Sequence, residues 1–387
     1  MEYRPEDGYA DIHEAQFSQP LCTVIQIALV DLLASWNIKP SVVVGHSSGE
    51  IAAAYCSGSI SRETAWRVSY YRVLAISEAL GSRPTGFSMM AIQLSAERLV
   101  PYLSPWNYSC NEIDRITIAC YNSPCNVTVS GPVDGLHDLQ FSLEQHGVLS
   151  RRLKVDVAYH SSHMNQVVEI YKKYLKSNWQ FKTCETGPIF VSTVTGCRVG
   201  GDELQTPDYW VSNLVSPVRF NETMSSVLSS TLQKVQSTKN IVVNFVLEIG
   251  PHSTLRPPLR GVFKDIGKDT SMCYSSMLIR NQDALETSLE CVGKLHCSGY
   301  PADLAEINNE LGQTKNPRML TSLPPYPFNH AQNHWINSRL DQSFRFRRMG
   351  AHELLGTPVS DWNELETRWN NRLIMKDMSF LGEHKVT

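Results

Sequence analysis

The sequence has no excess of charge of either sign. In 387 residues, 35 Lys and Arg face 38 Asp and Glu, a formal net charge of -3, and basic residues form no cluster. Nucleic acids and anionic membrane surfaces are bound mainly through concentrated positive charge. We therefore expect neither nucleic acid nor a membrane as a partner.

Long hydrophobic runs and paired cysteines are also missing. The longest apolar stretch, 21–34, is interrupted by Gln26 and Asp31, and we expect it to be too short to span a bilayer. The 10 cysteines form no C-x-x-C pair, and Cys120 and Cys125, the closest two, are expected to be small buried side chains. No signal peptide is recognisable. The pattern favours reduced thiols in the cytoplasm, and we expect no metal site.

What the sequence does contain is a strand-to-helix turn built around a serine. The β-branched run Val42–Val44 stops at Gly45, Ser47 follows, and Gly49 precedes an alanine-rich helical stretch. This G-x-S-x-G pattern is a nucleophile elbow, which holds the hydroxyl where a base can reach it and a backbone N–H can meet an oxyanion. Neither glycine has a Cβ to block the crossing of strand and helix. Glu50, in the first helical turn, suits the helix dipole.

Residues Gly45 to Glu50, Gly-His-Ser-Ser-Gly-Glu, resemble the signature of malonyl/acyl transferases in fatty-acid and polyketide synthases. Further matches follow along nearly the whole chain, and the later ones resemble reducing, fungal-type polyketide synthases. The resemblance implies transfer of a malonyl unit from malonyl-CoA through Ser47 to the phosphopantetheine thiol of an acyl carrier protein. It implies no bound cofactor, and other synthase domains as partners.

Two histidines compete for the role of general base. In Val-Ala-Tyr-His, at 157–160, the resemblance assigns the base to His160, and His163 remains the alternative. No acidic residue stands out as a third member, and the resemblance implies that a backbone carbonyl orients the histidine. His252 is expected near the site without carrying the proton. The N–H of Ser48 is expected to supply one half of the oxyanion hole.

Four further residues are predicted to bind substrate. Arg72 matches an arginine that grips the malonyl carboxylate, although without the resemblance it would be interpreted as a solvated surface charge. Tyr159 resembles the malonyl-type pattern, where the methylmalonyl type has a small serine. Gln19 either lines the pocket or belongs to a plain helix cap. His46, inside the signature, is predicted to contact the substrate.

The resemblance implies an α/β fold of two lobes. A hydrolase-like large lobe with a parallel sheet would comprise 1–86 and 154–296, and a ferredoxin-like small lobe would be inserted at 87–153. Periodicity predicts helices at 21–36, 96–103 and 135–146, strands at 87–92, 116–120 and 127–131, and one buried strand at 240–249.

The two ends differ from a whole transferase. The N-terminal strand and the Gly-Gln-Gly loop of such enzymes are not found before Gln19. After a linker at 297–344, residues 345–387 resemble the first strands of a β-rich hot-dog dehydratase domain, with His384 matching its catalytic base. An incomplete domain is expected there. Two other functions stay open: a catalytically impaired fragment that only docks, and a serine (thio)esterase.

Overall fold

The computed structural model describes most of the chain. The described residues are 15–81, 85–108, 111–177, 187–229, 232–233, 240–309, 321–324, 327, 331, 335–347, 349–374 and 376–383. They belong to two compact units, Met1–Pro317 and Arg318–Thr387.

Helices and strands alternate irregularly along the described chain. The helices are α1 Ala15–Ser35, α2 Gly49–Cys56, α3 Arg62–Leu80, α4 Ala96–Asn107, α5 Val133–Gln145, α6 Asn165–Ser177, α7 Gly201–Leu204, α8 Pro207–Val215, α9 Phe220–Ser229, α10 Arg256–Asp265, α11 Ala284–Cys297, α12 Leu304–Asn309, α13 Arg339–Arg345 and α14 Ser379–Gly382. The strands are β1 Val42–Val44, β2 Phe87–Ile92, β3 Thr117–Ser123, β4 Asn126–Pro132, β5 Ser150–Arg152, β6 Ile189–Val191, β7 Leu232–Gln233, β8 Asn240–Ile241, β9 Phe245–Glu248, β10 Cys273–Ser276, β11 Thr357–Pro358 and β12 Trp369–Asn370.

Helix α1 starts earlier than its sequence pattern predicts and is long enough, by length and composition alone, to cross a membrane over Phe17–Ser35. One side of it packs into the protein. Ile27 and Leu33 are buried, and the Thr23 hydroxyl lies 2.9 Å from that of Ser69 on α3. Apolar side chains at helical spacing therefore bind α1 to the rest of the first unit.

The parallel strands of the large lobe form two separate pairs. Strand β1 pairs in parallel with β6, and β9 pairs in parallel with β10. The prediction of one buried strand at 240–249 is wrong. Its first part, β8, pairs antiparallel with β7, and the ladder with β10 begins only at Phe245. Val242, between the two, is 69% exposed, so the apolar run is not buried throughout.

Strands β2 to β5 form one antiparallel sheet in the order β3-β4-β2-β5, crossed by α4 and α5. Its core is separate from that of the large lobe and includes Met90, Leu99 and Val129. The sheet is joined to the large lobe through Val218, whose N–H donates to Ala119 O and whose O accepts from Tyr121 N–H. The active-site segments lie on both sides of this junction.

The second unit contains little regular structure in its described part. Strands β11 and β12 pair over two residues each, and two short helices, α13 and α14, flank them. Within the stretch 345–387, which resembles the first strands of a dehydratase domain, Ser379–Gly382 form the short helix α14 rather than a strand. His384 lies outside the described residues.

Candidate active site

Ser47 stands on a sharp turn between β1 and α2. Its φ of 55° lies in the left-handed region, which a serine adopts only where the surrounding structure forces it. Gly45 makes the turn possible, since a Cβ there would come within 2.2 Å of the Glu50 nitrogen. Gly49 has no such role: a Cβ there would meet only Gln26 Nε2, at 3.8 Å. Only the first of the two glycines is thus required by the crossing of strand and helix.

The hydroxyl of Ser47 is hydrogen-bonded to His160. Ser47 Oγ lies 2.6 Å from His160 Nε2, and His160 Nδ1 lies 2.9 Å from the carbonyl oxygen of Ser216. A carbonyl can only accept, so Nδ1 carries the hydrogen and Nε2 is free to take the serine proton. The predicted orientation of the histidine by a backbone carbonyl is confirmed.

Burial, with a further contribution from the positive charge of Arg72, lowers the pKa of His160 to about 3, against a smaller raising effect of the bond to Ser216. The imidazole is therefore neutral near pH 7 and can act as a base. Its own backbone is held by the end of α8, where the His160 N–H donates to Leu214 O at 3.2 Å. The last carbonyl groups of a helix lack partners inside it, so α8 offers them to the histidine.

The other two histidines do not contact the dyad. His163 is buried against the ring of Phe87, with ring centroids 3.8 Å apart, and its Nδ1 has no partner among the described residues. His252 accepts through Nδ1 from the Arg280 N–H. Of the two histidines that the sequence left as alternatives, His160 is the one hydrogen-bonded to Ser47.

The N–H of Ser48 is placed to meet an oxyanion. Ser48 caps α2, and the next three N–H groups, of Gly49, Glu50 and Ile51, donate backward to the carbonyls of 46–48. The Ser48 N–H has no such bond within the described part of the chain. It therefore has no competing backbone acceptor there, and its role as one half of an oxyanion hole stays a prediction.

Glu50, for which the sequence indicated only a favourable position relative to the helix dipole, is fully buried. It accepts hydrogen bonds from the Thr193 N–H at 2.5 Å, the Tyr209 hydroxyl at 2.7 Å and the Asn213 amide at 2.9 Å. Burial raises the pKa of Glu50, and these bonds oppose that effect. Glu50 thus ties α2 to α8 beneath the elbow.

Asn213 is the second functional residue that sequence reasoning missed. It is 1% exposed, and its Nδ2 donates to Ser47 O at 3.1 Å and to Glu50 Oε2 at 2.9 Å. Its Oδ1 accepts from Arg72 Nη1 at 2.6 Å. The only sequence signal was its place in the run Tyr209–Leu214, which gives no hint of these three contacts.

Arg72 is 1% exposed, so the interpretation as a solvated surface charge is wrong. Its Cζ lies 5.9 Å from the ring centroid of Tyr159. Three buried polar atoms here have no hydrogen-bond partner among the described residues: Arg72 Nε, Tyr159 Oη and Gln19 Oε1. Burial raises the pKa of Tyr159 to about 12, while Arg72 and Gln19 lower it to a lesser extent. Such unsatisfied groups are costly unless a polar ligand meets them.

His46 connects the elbow to the small sheet. Its Nε2 lies 2.8 Å from Asn122 Oδ1, and the Asn122 amide donates to Asn126 and Thr128. Since both amide hydrogens are used, Oδ1 accepts from the His46 ring N–H. Burial lowers the pKa of His46, which agrees with a neutral ring. This nitrogen is occupied by Asn122, so a substrate would meet the ring through other atoms.

The described residues contain no group of three or more His, Cys, Asp or Glu that could hold a metal ion. What they bring together is a serine, a neutral histidine, a free backbone N–H and a buried guanidinium. These define a serine acyl-transfer site on an α/β fold.

The acyl transferase domain family matches residues 6–302, and the chain belongs to this family. It is 41% identical to the reducing polyketide synthase pksF of Alternaria solani over 378 residues, 97% of this chain and 16% of that protein. It is 37% identical to the highly reducing polyketide synthase NEC1 of Pyricularia oryzae over 415 residues, 99% of this chain and 15% of that protein. The chain thus spans about a sixth of the length of these curated relatives.

Solved structures of acyltransferases share its fold. A loading acyltransferase from the avermectin modular polyketide synthase has a TM-score of 0.64 and 27% identity, covering 74% of this chain and 82% of that one. The acyltransferase domain from module 8 of the salinomycin polyketide synthase has a TM-score of 0.66 and 24% identity, covering 78% of this chain and 65% of that one. The expected α/β fold of a transferase is confirmed.

Proposed function

We propose that this domain transfers a malonyl unit from malonyl-CoA to the phosphopantetheine thiol of an acyl carrier protein during polyketide synthesis in the cytoplasm. The Ser47–His160 pair would carry the covalent step. The carrier protein and other synthase domains would be its partners, and no bound cofactor is needed for this chemistry.

The reaction has two halves. His160 Nε2 takes the proton of Ser47 Oγ as the oxygen bonds to the malonyl carbonyl carbon, and the Ser48 N–H stabilises the oxyanion. The carbon–sulfur bond to CoA then breaks, and His160 returns the proton to the leaving thiolate. In the second half the carrier thiol gives its proton to His160, its sulfur bonds to the acyl carbon, and Ser47 Oγ leaves with the proton.

The observation that carries the malonyl assignment is the environment of Arg72. No carboxylate of the described residues forms an ion pair with this buried guanidinium, and its Nε has no partner there. The guanidinium lies near the Tyr159 ring, and Tyr159 Oη and Gln19 Oε1 are also buried without a hydrogen-bond partner among the described residues. A carboxylate on the acyl group would accept from Arg72 and Tyr159 at once, whereas an acetyl group would leave both unsatisfied.

Intact-protein mass spectrometry after brief incubation with malonyl-CoA tests the proposal. We expect a malonyl adduct that is lost in Ser47→Ala and falls by at least about a hundredfold in Arg72→Ala, because a charge-assisted bidentate contact is removed. His160→Gln should abolish the adduct, and His163→Gln, a change of the neighbouring buried histidine, should keep it. An unchanged adduct in Arg72→Ala would contradict the malonyl assignment.

The fate of the adduct separates a transferase from a thioesterase. Added carrier protein bearing phosphopantetheine should take the malonyl group faster than water does. Rapid loss to water, with no acyl carrier formed, would favour the esterase. A folded chain that never forms an adduct would favour a fragment with a docking role.

We also propose that 297–344 is a linker and that 345–387 begins a dehydratase domain. The family match ends at 302, whereas the similarity to the reducing synthases extends over 97% to 99% of the chain. By the same resemblance, His384 would be the base of that domain.

A further inference from the structure

Arg72 and Glu50 are buried, opposite in charge and close to each other, yet they do not form an ion pair. Burial lowers the pKa of Arg72, and the nearby Tyr171, Tyr159 and Glu50 raise it. In a site of low polarity such an attraction would normally bring a guanidinium and a carboxylate into direct contact. Another group must therefore separate the Arg72 guanidinium from the Glu50 carboxylate.

The amide of Asn213 lies between the two charges. Its Oδ1 accepts from Arg72 Nη1 at 2.6 Å, and its Nδ2 donates to Glu50 Oε2 at 2.9 Å and to Ser47 O at 3.1 Å. An uncharged amide is the side-chain group that can accept at one end and donate twice at the other. All three contacts are used, and turning the amide over would put its hydrogens against the guanidinium. Its orientation is therefore fixed by its partners.

The remaining contacts of Glu50 are made with residues other than Arg72. Thr193 N–H and the Tyr209 hydroxyl donate to its two oxygens, so with Asn213 the carboxylate has a partner on each side. Arg72, in contrast, keeps an Nε with no hydrogen-bond partner among the described residues. The network thus satisfies the Glu50 carboxylate within the protein and leaves the Arg72 guanidinium able to bind a ligand.

We propose that Asn213 is a positioning residue that separates Arg72 from Glu50 and thereby keeps the guanidinium available for an anionic acyl group. This inference rests on the proposed function, because it explains how the carboxylate-binding charge is preserved. The same amide, bonded to Ser47 O, fixes the guanidinium relative to the nucleophile. It contacts no reacting atom, so its effect should appear as acyl-group selectivity rather than as reactivity of Ser47.

Asn213→Asp is the sharpest variant, because it keeps the shape of the side chain and places a carboxylate directly on Arg72. We expect the preference for malonyl-CoA over acetyl-CoA, measured as the ratio of kcat/KM for acylation of Ser47, to fall about tenfold to a hundredfold. Asn308→Asp, on exposed α12, controls for the added charge and should leave the ratio unchanged.

The double variant Asn213→Asp/Glu50→Gln separates positioning from folding. It exchanges amide and carboxylate, keeps the total charge and restores a hydrogen bond between the two positions, but leaves the negative charge beside Arg72. We expect its melting temperature to recover toward that of the unaltered chain while the malonyl preference stays lost. Recovery of the preference in the double variant, or an unchanged ratio in Asn213→Asp, would overturn the inference.

A fluorophosphonate probe, which labels an activated serine without needing a carboxylate, keeps the two proposals distinguishable. If the unaltered chain is labelled at Ser47 but does not prefer malonyl-CoA, the proposed function fails and the inference with it. If the unaltered chain prefers malonyl-CoA and both chains that carry Asn213→Asp do too, only the inference fails.

Discussion

The basicity of His160 is set by what surrounds a single ring. Burial has the largest effect and the positive charge of Arg72 adds to it, so the pKa falls to about 3 from an ordinary value near 6.5. Lowering the pKa of a histidine extends the pH range in which the ring is neutral toward acid. A neutral ring is what the first half-reaction needs, because only then can Nε2 accept the proton of Ser47.

The first prediction concerns the pH dependence of Ser47 acylation. With an ordinary histidine the neutral fraction, and so the rate, would fall about thirtyfold between pH 8 and pH 5. With a pKa of about 3 for His160 we expect a change of less than about twofold over this range. Rapid-quench mass spectrometry of the malonyl adduct would measure it, and a midpoint near pH 6.5 would contradict the buried, neutral histidine.

The two glycines of the elbow give a second, paired prediction. Gly45→Ala would place a Cβ 2.2 Å from the Glu50 nitrogen. We therefore expect the free energy of unfolding to fall by about 3 kcal/mol or more, the upper end of the usual cost of overpacking. Ser47 should then no longer be labelled. Gly49→Ala meets only the end of a glutamine side chain at 3.8 Å and should change stability by less than about 1 kcal/mol. Urea unfolding and fluorophosphonate labelling of Ser47 would compare the two variants. Equal losses of stability in Gly45→Ala and Gly49→Ala would refute the predicted difference.

Sequence alone identified the residues whose chemistry depends on a local pattern. Ser47 sits in a turn that glycine spacing reveals, and His160 ends a recognisable motif. Asn213 and Glu50 could not be found this way, because their roles come from contacts between residues 163 positions apart. The requirement at Gly49 was overestimated for a related reason: spacing shows where a glycine is, and only the surrounding atoms show whether a Cβ would fit.

At the scale of single elements, α8 holds much of the site together. Its side chain Asn213 reaches the elbow and Arg72, while Leu214 O and the following Ser216 O hold the backbone and ring of His160. One helix therefore fixes the positions of Ser47, His160 and Arg72 relative to one another. A shift of α8 would move all three together.

The contact between α1 and α3 gives the third prediction. The hydroxyls of Thr23 and Ser69, 1% and 2% exposed, lie 2.9 Å apart, and α3 also carries Arg72. Thr23→Val leaves the Ser69 hydroxyl buried and unpaired, which should lower the free energy of unfolding by about 1–3 kcal/mol. Thr23→Val/Ser69→Ala removes both polar groups and should recover most of that loss. Urea unfolding of the two variants would show it, and a double variant as unstable as the single one would refute the pairing.

Helices α1, α4 and α5 and three of the four small-sheet strands could be predicted from periodicity, but pairing could not. Strand β2 is found at the predicted 87–92, and α4 and α5 differ from prediction mainly at their ends. The run 240–249 looked like one strand because most of its residues are apolar, yet its first part pairs with β7 and its last part with β10. Pairing with strands distant in sequence decides where a strand begins, and the local composition does not reveal those partners.

Across the first unit, the site draws on both the large lobe and the small sheet. His46 in the elbow bonds to Asn122 on β3, and β3 bonds to Val218 shortly after the Ser216 carbonyl that orients His160. The small sheet thus supports the elbow on one side and the segment that holds the base on the other. This arrangement places every described site residue inside Met1–Pro317.

The last prediction follows from that placement. A chain ended after Pro317 keeps Ser47, His160, Arg72 and Asn213 with the buried cores around them, and the family match ends earlier, at 302. None of the buried apolar side chains of the described structure belongs to Arg318–Thr387, so little hydrophobic stabilisation should be lost. We expect malonylation of Ser47 within about twofold of the 387-residue chain and a cooperative melt within a few degrees. Ser47→Ala in the shortened chain is the control for the adduct. A shortened chain that melts without cooperativity, or that folds but is not acylated, would show that the second unit contributes to the site.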